Sequence, residues 1–242
     1  MNRSELRAIV NTRLHRRGWD ISRWPGYHDS ADRRNTLLRS QRVDLVIDVG
    51  ANVGQYGHEL RTYGYTGQIV SLEPMAAAFA QLDALAATDP SWATVRSAAG
   101  TAQGEIIIHV AANSISSSAL SMLDRHIQAA PESQFLSSEP APVDRLDNLV
   151  GALVSSSRAP FLKIDTQGFE QAVLDGAREI LPRCVGVEIE LSLVALYDGQ
   201  LLWREQIEYL EANDFQLVGM APGFWDKVSG ELLQVDGVFV RK

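Results

Sequence analysis

VDLVIDVGANVGQYGHEL, residues 43–60, begins as an unbroken apolar run and ends in polar residues of good helix propensity, with Gly50 and Gly54 between. An apolar run of this length reads as a strand buried on both faces, and the glycines read as a tight turn that opens a helix. A strand that hands over to a helix in this way places the turn at the carboxyl edge of a sheet. Open α/β sheets keep nucleotide-like ligands at that edge.

Downstream the same rhythm repeats. "QIVSLE" is a strand, 75–87 a helix and "ATVRSAA" a third strand; "PFLKID", "RCVGVEIEL" and "FQLVGM" are later strands separated by the helices "GFEQAVLDGAREIL" and "LWREQIEYLEAND". Alternating strands and helices with short turns specify a parallel sheet covered on both faces. The pattern breaks at "GEIIIHVAAN", 104–113, an extra strand with no helix to follow it. Residues 114–142 read as a long loop with a short helix around "ALSMLDRHIQA", placed to act as a lid or to line an acceptor pocket. "VDRLDNLV" is a helical turn, and "LLQVDGVFVRK" closes the chain as a last strand, antiparallel to the rest. Residues 1–42 form a basic helical extension, with one helix running from a Ser4 cap to a Gly18 stop and a second starting at Ser30.

The 242 residues, 45% of them hydrophobic, suffice for one well-buried α/β domain over 43–242 plus that extension. A formal charge of −8 argues against a broad nucleic-acid footprint, which needs clustered cations. The exception is the lead-in, where six arginines lie within the first 23 residues beside Trp19 and Trp24. It reads as a solvated helix face, an anion-docking patch, a contact between two copies of the chain, or an arm over the acceptor. The single cysteine, Cys184, sits in an apolar run and reads as a core residue. With no membrane-length apolar segment and no secretory signal, the expectation is a cytoplasmic protein without an integral membrane segment.

The chemistry gathers at strand ends. The turn after the first strand has the spacing GxNxG rather than GxGxxG, so the third glycine of a dinucleotide fingerprint is missing. Asp48, just before the turn, would repel a phosphate and suits a cationic group such as the α-ammonium of S-adenosylmethionine (SAM), met directly or through water. Gly50, Ala51, Asn52 and Gly54 form the turn that a ligand approaches closely. Glu73 ends the second strand 23 residues after Gly50, where an acid accepts hydrogen bonds from ribose hydroxyls or caps the following helix. Ser97 and Ala98 are small enough to flank an adenine.

"FLKIDTQGFEQAVLDGA", 161–177, supplies the second cluster. Lys163 and Asp165 share one face of a strand, Asp165 at its carboxyl end, and Glu170 opens a helix. Glu188 and Glu190 share a face of the next strand. Carboxylates at two adjacent strand ends can orient or deprotonate a hydroxyl, or hold a divalent ion; two dispersed carboxylates do not make a metal site, and none is assigned. Asp165 is the candidate base with Glu190 assisting, and Lys163 and Gln167 are candidate substrate contacts. The histidines read as surface or packing residues, His28 and His126 being the two that mobile segments could carry to the site.

Together, "IDVGANVGQYG", "SLEP", "VDRLDNL" and "LKIDTQGFEQAVLDGA" resemble the FkbM family of SAM-dependent methyltransferases, over about residues 43–240. The resemblance implies a Rossmann-like class I methyltransferase fold with a mostly seven-stranded parallel sheet and an antiparallel last strand. It also implies SAM as cofactor and O-methylation of a sugar hydroxyl in a glycolipid, polysaccharide or glycosylated natural product. Asp48, Gly50, Asn52, Gly54 and Glu73 would then contact SAM, with Asp165 near the transferred methyl. Gln167 departs from the family's usual Glu in "DVEG". The alternatives are an NAD-dependent oxidoreductase, which would share Glu73 but should carry a pyrophosphate-compatible glycine pattern, and a non-catalytic SAM-fold binding module.

Overall fold

Two layers of helices enclose a seven-stranded sheet in the computed structural model, which describes residues 30–242. The first expected helix, Trp19, Trp24 and His28 lie outside the described residues. In chain order the elements are α1 (Ser30–Ser40), β1 (Leu45–Val49), α2 (Gln55–Thr62), β2 (Gln68–Leu72), α3 (Ala76–Ala86), β3 (Trp92–Val95), β4 (Ala98–Gly100) and β5 (Gly104–Ala111). They continue with α4 (Asp124–Ala129), β6 (Phe135–Arg145), α5 (Leu146–Ser156), β7 (Pro160–Ile164), α6 (Glu170–Asp175), β8 (Gly186–Ser192), α7 (Trp203–Ala212), β9 (Phe215–Pro222) and β10 (Gln234–Arg241). The main sheet runs β3-β2-β1-β7-β8-β10-β9, with β10 antiparallel to both its neighbours and the other pairs parallel. This is the expected Rossmann-like class I methyltransferase arrangement, with β10 as its antiparallel last strand.

Why "LVIDV" is apolar at nearly every position follows from its two covered faces. Leu45, Ile47 and Val49 join Leu162, Ile164 and Ile189 against α5, α6 and α7, while Val46 and Phe161 pack beneath Leu38 of α1, Leu60 of α2 and Leu82 of α3. Central parallel strands read as continuous hydrophobic runs for this reason. Because Leu38 belongs to that core, α1 is built into the domain rather than appended to it.

On the α1 face one row of side chains is polar. Ser71, Asp48, Lys163 and Glu188 are register neighbours across β2, β1, β7 and β8, and all four are buried. Such a row crosses the centre of the sheet just below its carboxyl edge.

Two expectations are corrected here. "ATVRSAA" is not one strand: β3 ends at Val95, and β4 leaves the main sheet to pair with β6 in a separate three-stranded sheet ordered β4-β6-β5. The 114–142 stretch is not a long loop, since its last third begins β6, which runs antiparallel to β5. Two prolines, Pro140 and Pro142, hid this strand. Spaced by two, they place their missing N–H donors on one side of the strand, and β4 reaches only Val143–Arg145, so along the prolines β5 is the only strand partner among the described residues. Among the described residues, no helix is long and apolar enough to cross a membrane.

Candidate active site

A cleft of about 320 Å³ opens over the carboxyl ends of β1, β2, β7 and β8. Its first wall is the turn Gly50–Asn52. The turn's amides are already engaged: Gly50 N and Ala51 N donate to the Leu72 carbonyl at 3.1 and 3.0 Å, and Asn52 N donates to Glu73 Oε2 at 2.8 Å. A pyrophosphate would find no free row of N–H donors here, in contrast to a dinucleotide loop. Both glycines answer to the protein as well. A Cβ on Gly50 would lie 1.8 Å from the Asp165 carbonyl oxygen, and one on Gly54 about 3 Å from Leu82 and Leu85, so Gly54 faces α3 rather than the cleft.

Glu73 lines the cleft and is almost fully buried. Its Oε1 also accepts from Met75 N at 2.8 Å, so the carboxylate ties the turn to the start of α3. Burial lifts its pKa to about 7, against the pull of these two amides. Each oxygen carries one backbone donor and keeps a second lone pair. Asn52 stands beside it in the left-handed region at φ 48°, with its Oδ1 buried and without a hydrogen-bond partner among the described residues. Ser97 and Ala98 line the opposite side, with Ser97 Oγ 2.8 Å from the Ala98 carbonyl and 3.2 Å from that of Pro142. Ser114, Ser117 and Ser118 bring the serine-rich stretch to the same rim.

Asp48 is placed differently from expectation. Its carboxylate is fully buried, accepts from Ser71 Oγ at 3.1 Å, and faces Lys163 Nζ at 3.2 Å, so it does not line the cleft. Strand alternation explains this: Val49, not Asp48, turns its side chain to the other face at the last step, and Asp48 falls into the polar row with Lys163. Lys163 does line the cleft, held between Asp48 and Asp165 at 3.2 and 3.5 Å. Burial opposes its charge, yet those two acids lift the ammonium above its ordinary range. The row continues through Tyr56, whose OH donates to Glu188 Oε2 at 2.7 Å, and Arg34, whose Nη1 donates to Glu188 Oε1 at 3.1 Å. Arg34 pairs also with Glu59 and lies 4.6 Å from the Tyr56 ring centre.

At the far end, Gln167 brings the two expected acids together. Its Nε2 donates to Asp165 Oδ1 at 3.0 Å and to Glu190 Oε2 at 2.9 Å, while Oε1 accepts from Tyr197 OH at 2.9 Å. Gln234 Nε2 donates to the same Glu190 oxygen at 2.6 Å. All the amide's heteroatoms are thus used within the protein, so Gln167 orders carboxylates rather than standing free for a substrate. Burial, then Asp165, Glu170 and Asp236, push Glu190 well above the carboxylate range. Asp236, the register partner of Glu190 on β10, lines the cleft too, and burial with Glu188 and Asp165 nearby lifts it to about 7.

Asp236, Arg34 and Tyr56 escaped the sequence reading. Asp236 had a legible signal, its place on the last strand beside the carboxyl edge; Arg34 had none, since only tertiary packing brings α1 to the cleft. Glu170 turns inward to accept from Thr166 N and Gly168 N, both at 3.0 Å, and so shapes the β7–α6 turn. His126 is buried against Tyr197 and Phe224, away from the cleft lining, and burial holds its pKa down to about 4. Cys184 is fully buried, which pushes its thiol up to about 12. Among the described residues, no three His, Cys, Asp or Glu side chains are grouped to hold a metal ion.

The model of the methyltransferase FkbM domain matches residues 48–217, well over half of the chain. No curated protein matches. Similar solved structures include the magnesium protoporphyrin IX methyltransferase of Synechocystis PCC 6803 with bound SAM, 11% identical with a TM-score of 0.47 over 99% of this chain and 96% of that one. An rRNA methylase from Streptococcus thermophilus is 12% identical, with a TM-score of 0.48 over 86% and 94%.

Proposed function

The chain belongs to the FkbM methyltransferase family, whose methyl donor is SAM, and on that premise we propose that it methylates a hydroxyl of a sugar, with Asp165 as the base. The residues present fit the donor. Glu73 offers two unfilled lone pairs where ribose hydroxyls need acceptors, Asn52 Oδ1 is a buried acceptor awaiting a donor, and Ser97 and Ala98 leave room for a flat base. Bound there, SAM supplies an electrophilic sulfonium methyl.

What the protein must add is alignment of an oxygen and a place for its proton. The observation that carries the reading is the pairing of Asp165 and Glu190 on a single Gln167 amide, inside the cleft that Glu73 closes at its other end. Two carboxyl groups flanking one nitrogen can take adjacent hydroxyls of one ring. Asp165, about one-third exposed and steadied by Lys163, accepts the departing proton. Glu190, which favours its protonated form, donates to a neighbouring sugar oxygen, and Asp236, lifted to about 7, accepts or donates according to its protonation. The serine-lined rim contributes further hydroxyls to the acceptor pocket.

The test is methyl transfer to a panel of glycosides and glycolipids, followed by release of S-adenosylhomocysteine and by mass-spectrometric location of the methyl group. An O-methyl sugar is expected. Asp165→Asn should lower kcat by about 10²- to 10⁴-fold and leave SAM affinity within a few-fold. Methyl appearing only on nitrogen or carbon, or undiminished turnover in D165N, would overturn the assignment.

A further inference from the structure

We propose that Arg34, on the helix that precedes the matched domain, binds the carboxylate of the methionyl end of SAM. The amino-acid end of the cofactor carries a carboxylate, and among the described residues lining the cleft the only cations are Lys163 and Arg34. Lys163 is committed, with Asp48 and Asp165 on either side of its ammonium.

Arg34 is committed only in part. Its side chain is 10% exposed, Nη1 is bonded to Glu188 and Nη2 to Glu59, and Nε is buried with no hydrogen-bond partner among the described residues. A buried, unpaired guanidinium N–H costs free energy unless something fills it. The Tyr56 ring fixes the plane of the fork, and Tyr56 itself is anchored through Glu188. Glu59 is the weak partner: its side chain is 45% exposed, so water can replace it at small cost. An incoming carboxylate can therefore take Nε–H and share Nη2–H in the forked geometry that arginine offers and lysine does not. Placement agrees, because Arg34, Gln55, Tyr56 and Glu59 line the cleft together with the Gly50–Asn52 turn.

Calorimetric titration of the full chain with SAM and with decarboxylated SAM, which lacks only the carboxylate, tests this directly. Arg34→Met should weaken SAM by roughly 10- to 100-fold, the range of a charge-assisted hydrogen bond. Decarboxylated SAM should bind the variant within about twofold of wild type, and Arg34→Lys should recover part of the loss. Removing the competitor with Glu59→Gln should tighten SAM and leave decarboxylated SAM unchanged, a measurement that stands even if R34M does not fold. Equal losses for both ligands would mean that Arg34 merely docks α1. That result, or an unaltered SAM affinity in R34M and E59Q, would overturn the proposal.

Discussion

A methyl group on Gly50 would have nowhere to go, because a backbone oxygen of the neighbouring strand end occupies its place and the residue already sits at φ 80°. Gly50→Ala should therefore cost more than about 4 kcal/mol, among the largest single-residue effects. Gly64 makes the control: at φ 85° it has open space where a Cβ would stand, so Gly64→Ala should cost only about 1–2 kcal/mol of left-handed strain. Urea unfolding midpoints at a common m-value distinguish the two. The glycine was legible as a constraint, but its cause was not, since nothing in "DVGANVG" says that Asp165 will press against it. Asp48 shows the same limit. Its position was readable, whereas its partner, Lys163, lies 115 residues away in sequence.

Elements were legible where their period is local and obscure where pairing is distant. β1, β2, β7 and their helices follow from apolar runs and glycine turns, while β4 and β6 exist through pairing of β6 with β4 and with β5 that no short window of sequence contains. The turn between β7 and α6 carries its own prediction. Glu170 is fully buried, and desolvation lifts its pKa from 4.5 to about 7 despite the amides it accepts from. The native state then binds a proton that the unfolded chain has released, so this contribution to stability is complete below about pH 4.5 and is lost as pH rises through about 7. Glu170→Gln, which cannot ionise, should flatten that decline, worth about 1–3 kcal/mol. Unfolding measured at intervals between pH 4.5 and 7.5 would reveal an unchanged slope if Glu170 were not its source.

Across the whole molecule, protection from solvent is unevenly shared. β1, β7 and β8 are covered on both faces, whereas β5 exposes three of its eight residues and, among the described residues, has β6 as its only paired strand. Native-state hydrogen exchange should accordingly find the slowest amides in the three central strands, and β5 and β6 opening at lower free energy, independently of global unfolding. Equal protection in both sheets would mean that they open as one unit. The polar row through the middle of the main sheet bears on how the chain reaches this state. Were β7 to slide by one residue against β1, Lys163 would point into the leucine and isoleucine layer beside α5 and Asp48 would be left buried without a counter-charge. Every misaligned pairing of these otherwise interchangeable apolar strands is thereby penalised, so the row that sets Lys163 and Glu188 in the cleft also tells the strands where to stop.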